Sequence, residues 1–210
     1  MIVIDSVRAY LDDARPDPDV LLAEMEAHGA RDGVPILDPH SAALLHVLAR
    51  GMGARRIVEV GTAIGVSTLS LARALPDDGE LVSFELDRAR HAAASSYLSR
   101  ARLRARVDLR LEDARQGLPR LDGEFDLAFL DGVKAEYLEL VELTVPLLRP
   151  GGIVAIDNAL VDSAGDAVDG AWSVDRAVAG RQLNDTLLRH PDLVTTIIPV
   201  GDGIALAARR

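Results

Sequence analysis

The chain is predicted to fold as an α/β protein, a mostly parallel sheet with one antiparallel strand and helices on both faces. Three observations predict this. From Arg56 onward, short apolar strand patterns alternate with amphipathic helical patterns, the signature of right-handed βαβ units. The last two strand patterns are joined by Gly201-Asp202-Gly203, a tight turn that forces an antiparallel hairpin. The length of 210 residues suits one domain with a full core, and no Ser/Gly linker, low-complexity tract or repeat divides it.

The elements follow in order. Residues 6–14 and 19–28 read as short helices separated by Pro16 and Pro18, and 39–50 as a third with Leu44, Leu45 and Leu48 on one face. Residues 57–60 form an apolar strand and 66–75 a helix. A strand at 81–85 and an Ala-rich helix at 88–101 come next, then strands at 107–111 and 125–130. A helix is predicted at 134–147, a strand at 153–156, a helix at 174–189, and the closing strands at 193–199 and 204–208. The short strands are mostly apolar, as expected where helices cover both faces of a sheet.

Composition excludes several chemistries. A formal net charge of −10 argues against nucleic acid and against anionic membrane as partners. The one local exception, Arg100, Arg102, Arg104, Arg106 and Arg110, reads as the wet side of a helix end and the following strand. The absence of cysteine removes disulfides, thiolate zinc sites and thiol nucleophiles, and fits a reducing, cytoplasmic location. The opening residues lack the long apolar core of a signal peptide, and no apolar run reaches membrane-spanning length, so a soluble protein is expected.

Ligands of such sheets bind at the carboxyl ends of the strands. The first strand runs into Val58-Glu59-Val60-Gly61-Thr62-Ala63-Ile64-Gly65-Val66-Ser67, a glycine-turned loop opening a helix N-terminus. It fails the dinucleotide fingerprint, because Ala63 and Val66 stand where glycines belong. Glu59 sits inside an apolar strand and needs either a ligand donor or a salt bridge to Arg55 or Arg56. Glu85 ends the second strand, 24 residues after Gly61, where an acid can accept both hydroxyls of a ribose; the alternative leaves it exposed beside an Asp87 helix cap. After the third strand, Glu112-Asp113-Ala114 offers a polar side chain to an adenine amino group. Together these three strand ends point to an adenosine-bearing cofactor.

Asp131 closes the fourth strand and Asp157-Asn158 the fifth, and adjacent strands lie about 4.8 Å apart. Three oxygen donors without His or Cys favour Mg²⁺, Mn²⁺ or Ca²⁺. The alternative has these residues capping a helix and making a turn. Lys134 bears on the choice: it is the one lysine beside 22 arginines, three residues after Asp131. Arginine cannot release its proton near neutral pH, whereas lysine can once a cation or burial favours the neutral amine. Lys134 is therefore the candidate base, the alternative being a surface lysine spared by an arginine-rich composition.

In these residues the chain resembles the cation-dependent, S-adenosylmethionine-using O-methyltransferases, the group that includes the catechol and caffeoyl-CoA O-methyltransferases. The likeness runs from about Ile36 to the C-terminus. It is carried by Val58 to Ser67, Glu85, Asp131-x-x-Lys134-x-x-Tyr137, Ile156-Asp157-Asn158 and Pro199-Val200-Gly201-Asp202-Gly203. It implies a Rossmann-like, seven-stranded methyltransferase sheet whose last strand is inserted antiparallel. Residues 56–210 would be the cofactor-binding core, and residues 1–50 helices serving the acceptor site or a homodimer. It implies that Glu59, Gly61, Thr62 and Ser67 hold the methionine end of the cofactor, Glu85 its ribose, and Asp113 and Ala114 its adenine. Asp131, counted with both sets, would bind a divalent cation with Asp157 and Asn158, and Lys134 would take the proton of a small, catechol-like acceptor.

The family pattern is not complete. Many members carry Asp-Ala-Asp-Lys where this chain has Asp131-Gly132-Val133-Lys134, although the catechol enzymes also have an apolar residue there. Relatives commonly continue Asp-Asn with Leu-Trp; here Ala159 and Leu160 follow, and the run through Val161 to Gly165 departs from the pattern. Trp172 is either a substitute aromatic or a plain core or surface residue. The alternatives are a metal-independent methyltransferase and a non-catalytic cofactor-binding relative. A nicotinamide dehydrogenase is disfavoured by the missing glycine and the lack of a Tyr-x-x-x-Lys pair.

Overall fold

The computed structural model describes residues 5–160 and 174–210. Trp172 and the 161–165 segment, both singled out in the sequence, lie outside the described residues.

Seven strands form one sheet in the order β3-β2-β1-β4-β5-β7-β6. These are β1 (Arg56–Val60), β2 (Glu80–Glu85), β3 (Arg106–Leu111), β4 (Phe125–Leu130), β5 (Leu148–Ile156), β6 (Leu193–Ile198) and β7 (Ile204–Arg209). The first five pair in parallel. β7 runs antiparallel between β5 and β6, which places the reversed strand one position in from the edge. The predicted mostly parallel sheet with an inserted reversed strand is what forms.

Apolar residues alternate between two buried layers. Val58, Val60, Phe84, Leu130 and Ile156 point to one face, beneath α7 (Tyr137–Thr144) and α8 (Val174–Arg189). Ile57, Leu81, Leu127, Phe129 and Ala155 point to the other, beneath α3 (Pro39–Gly51) and α4 (Val66–Ala74). Each fully buried side chain of this size contributes about 1.5–3 kcal/mol. Together they hold the strand tips firmly enough to carry several acids. Among the described residues no helix is long and apolar enough to cross a membrane.

The N-terminal helices are α1 (Asp5–Ala14) and α2 (Val20–Asp32). Asp19 caps α2 by accepting from Leu22 N at 2.9 Å, and Gly33 ends it at φ 63°, four residues later than the sequence predicts. α5 (Arg88–Arg100) starts on an Asp87 cap.

Two local expectations change. The predicted 134–147 helix is a 3₁₀ turn at Lys134–Glu136, then α7, then a second 3₁₀ turn at Val145–Leu147, where Pro146 removes a donor. A short α6 (Ala114–Gly117), capped by Asp113, follows β3 and was not predicted, because four residues carry no readable periodicity. The arginine-rich stretch behaves as expected: Arg100 pairs with Glu24, Arg104 with Asp77 and Arg110 with Asp108.

Candidate active site

Strand register builds the site. Val60 lies opposite both Phe84 and Leu130, and Leu130 opposite Ile156. The residues that follow these four therefore leave the sheet side by side. The ladder continues one step past the strands: Gly61 N donates to Phe84 O (3.0 Å), Asp131 N to Val60 O (2.8 Å) and Asp157 N to Leu130 O (3.1 Å). Gly61, Asp131 and Asp157 are thus fixed by backbone bonds at adjacent tips, beside the point where the strand order reverses.

A cleft of about 540 Å³ runs across these tips. Of the sequence-predicted residues it is lined by Gly61, Glu85, Asp113, Ala114, Asp131, Lys134 and Asn158. Both proposed halves of the site, cofactor and base, share this one cavity. Glu59, Thr62, Ser67 and Asp157 do not line it; they are buried beneath its floor.

At the loop after β1, Gly61 has φ 95° and its Cα faces the Asp131 carbonyl, so a side chain there would strike backbone. Gly65, at φ 93°, stands at the N-cap of α4 without a side-chain cap bond. Below, Glu59 is fully buried and its Oε2 accepts from Thr68 Oγ1 (2.5 Å) and Ser83 Oγ (2.6 Å). Burial raises its carboxyl above the ordinary range against the pull of hydroxyls on Ser67, Ser83 and Thr68. Among the described residues no salt bridge reaches it: Arg55 pairs with Asp78 and Arg56 with Glu80. Thr62 is likewise turned inward, with Oγ1 2.6 Å from Ser83 Oγ.

Glu85 is 8% exposed and held by backbone. Its Oε2 accepts from Ala63 N (2.7 Å), and its Oε1 from Leu86 N (2.9 Å) and Asp87 N (2.8 Å). A carboxylate has about four acceptor sites, so Glu85 is fixed in aim and keeps capacity for a ligand. Asp113 faces the cleft but spends its carboxylate on Arg115, whose Nη2 lies 2.7 Å from its Oδ2. That guanidinium holds Asp113 below the usual carboxylate range. Arg115 also reaches Glu136 at 3.2 Å, which ties the Asp113 corner to the Lys134 turn.

The Lys134 ammonium donates to Tyr137 Oη (2.7 Å), to Asn158 Oδ1, and at 3.5 Å to Asp131 Oδ1. Its side chain is 15% exposed, so it faces the cleft and not bulk water. Asp131 is raised above its ordinary value by burial, partly offset by Lys134. Burial, then the Asp131 charge, pushes Asp157 up to about 7. The Oδ1 of Asp157 is buried and has no hydrogen-bond partner among the described residues. Helix capping does not account for this group, because the Lys134 turn has no side-chain cap bond.

The donor set fits a hard cation: two raised carboxylates, one with an orphaned oxygen, and an amide oxygen. Among the described residues, no three His, Cys, Asp or Glu side chains form a ready-made metal cage. Any cation would therefore rest on the two aspartates and Asn158. Asp202, which the sequence offered only as part of a turn, also lines the cleft, and Asn158 Nδ2 donates to its Oδ2 at 3.3 Å. An acid between two glycines was the signal that could have marked it.

Comparison with known proteins gives the family. The chain matches the O-methyltransferase family over residues 17–210. A catechol O-methyltransferase from Niastella koreensis is 35% identical, with the alignment covering 98% of this chain and 97% of that one. Among solved structures, the O-methyltransferase TomG from Streptomyces achromogenes, involved in tomaymycin synthesis and in complex with SAM, is 32% identical at a TM-score of 0.81, covering 97% of this chain and 96% of that one. The O-methyltransferase from Bacillus cereus in complex with SAH is 28% identical at a TM-score of 0.84, covering 98% and 97%. The chain belongs to the O-methyltransferase family.

Proposed function

We propose that this protein is an S-adenosylmethionine-dependent, divalent-cation-dependent O-methyltransferase acting on a small, catechol-like hydroxylated acceptor. The observation that carries the reading is the meeting of Lys134, Asp131 and Asn158 in the same cleft as the backbone-held Glu85. The cofactors named with TomG and with the Bacillus cereus enzyme support the choice of methyl donor, and the name of the Niastella koreensis relative supports the acceptor class.

S-adenosylmethionine would supply the electrophilic methyl group, and a divalent cation the acidity and orientation of the acceptor hydroxyls. Glu85 binds the ribose hydroxyls of the donor, and Asp113 and Ala114 flank its adenine. Gly61 and the open N-terminus of α4, supported from below by Glu59, Thr62 and Ser67, receive its methionine end. Asp131, Asp157 and Asn158 hold the cation. Lys134, once neutral, takes the acceptor's proton at Nζ and is kept in place by Tyr137 and Asn158. A homodimer through the N-terminal helices belongs to the same reading, supported by the exposed Tyr10, Leu11 and Val47.

The test is methyl transfer from labelled donor to a catechol and hydroxycinnamoyl panel, with Mg²⁺ and with EDTA. Transfer that EDTA abolishes and Mg²⁺ restores is expected. Lys134→Arg should lower kcat by about 100-fold or more while calorimetry shows unchanged donor binding. No transfer and no donor binding would overturn the reading; transfer indifferent to EDTA and to Asp157→Ala would overturn its cation part.

A further inference from the structure

Asp202 lies 44 residues beyond Asn158 in the chain, yet its carboxylate meets the Asn158 amide. The contact is built into the backbone. The turn between β6 and β7 is bonded to the loop after β5: Ala159 N donates to Gly203 O (2.9 Å) and Leu160 N to Asp202 O (3.1 Å). Both flanking glycines are required by close approach. At Gly201, φ is 54° and a Cβ would stand 2.5 Å from Ser41 Oγ; at Gly203, φ is 90° and a Cβ would stand 2.6 Å from Leu160 Cγ. The turn is therefore clamped between α3 and the Asn158 loop, and Asp202 has little freedom to point elsewhere.

Asn158 has itself an unusual backbone, with φ 62°, and it lines the cleft at the strand tips. Its amide has two chemically opposite ends. Nδ2 is a donor that would repel a cation, and Oδ1 is an acceptor that would bind one. The Asp202 carboxyl oxygen accepts from Nδ2 and leaves Oδ1 to the Lys134 ammonium.

We propose that Asp202 is a positioning residue that fixes the amide orientation of Asn158, so that its oxygen is presented to a divalent cation and to Lys134. This rests on the cation-dependent reading above. It assigns Asp202 no contact with the cation: the residue acts through Asn158, as carboxylates behind metal-bound histidines act through the ring.

The experiment is Mn²⁺ binding to the purified protein, read from the free-ion electron paramagnetic resonance signal, for wild type, D157A, D202A and D202N. S-adenosylhomocysteine affinity by calorimetry and a thermal melt accompany each variant. D202A is expected to weaken Mn²⁺ binding by about 10–100-fold while S-adenosylhomocysteine affinity stays within about two-fold. D202N keeps an acceptor for Nδ2 without the charge and should recover most of the loss. If D202A binds Mn²⁺ as wild type does, the positioning role is overturned and the cation-dependent reading survives. If D202N is as weak as D202A, charge or direct ligation is at work and positioning is overturned. If wild type itself binds no Mn²⁺, the cation-dependent reading fails, and this inference with it. Should D202A not fold, D202N binding Mn²⁺ as weakly as D157A still overturns positioning.

Discussion

Lys134 gives the acid cluster its ammonium, yet the acids are not balanced by it. Burial raises Asp131 and Asp157 despite the lysine, and Asp202 adds charge of the same sign to both. A proton and a cation would compete for that cluster. Asp157, near 7 in the fold against an ordinary 3.8, holds its proton more tightly folded than unfolded. Its contribution to stability is therefore whole below about pH 4 and is lost as pH rises through about 7. In EDTA, the melting temperature should fall from pH 6 to pH 8 more steeply for wild type than for Asp157→Asn. The stabilisation by added Mg²⁺ should grow over the same interval, because the ion binds the deprotonated site. Equal slopes for the two proteins in a differential scanning fluorimetry series would count against Asp157 as the titrating group. The acid at Glu59 was visible in the sequence, but its partners were not. Thr68 and Ser83 lie 9 and 24 residues away, and neither carries a charge that would suggest a pair.

Glycine placement decides what the loops between elements can do. Gly61 takes a positive φ where β1 ends, and its missing Cβ makes room for the Asp131 carbonyl at the end of β4. One residue therefore sets both the turn after β1 and the approach of the β4 tip to it. Gly61→Ala is expected to cost about 2–4 kcal/mol in a urea melt, from backbone strain and overpacking together. Donor binding should weaken along with it; an alanine variant as stable as wild type would show that the two strand tips are not held in register by this contact. The sequence predicted strands and helices well where their periodicity ran for several residues. It missed α6, and it ran 134–147 as one helix, because a 3₁₀ turn and an α-helix share nearly the same apolar spacing. The difference matters here. Lys134 opens the 3₁₀ turn, where its side chain can reach back to Asn158 and forward to Tyr137.

Helix α3 covers one face of the sheet, and α1 and α3 leave apolar residues of their own outside. Tyr10 is 70% exposed and Leu11 41% on α1, Val47 is 67% exposed on α3, and Asp12 is bonded to His40 between these two helices. A second copy of the chain is the occupant proposed for this face. Light scattering behind a sizing column should give twice the chain mass, and Tyr10→Asp should shift it toward one; a wild-type monomer at micromolar concentration would remove the dimer from the proposal. The sequence by itself determined the alternation of elements, the reversed hairpin, the acids at strand ends and the solitary lysine, since each is written in neighbouring residues through periodicity, turn chemistry or composition. Only the tertiary structure decided which of those acids meet. Register aligned Asp131 with Asp157, and the insertion of β7 between β5 and β6 carried Asp202 to Asn158. Those meetings depend on long-range pairing of strands, which no local pattern along a single chain encodes.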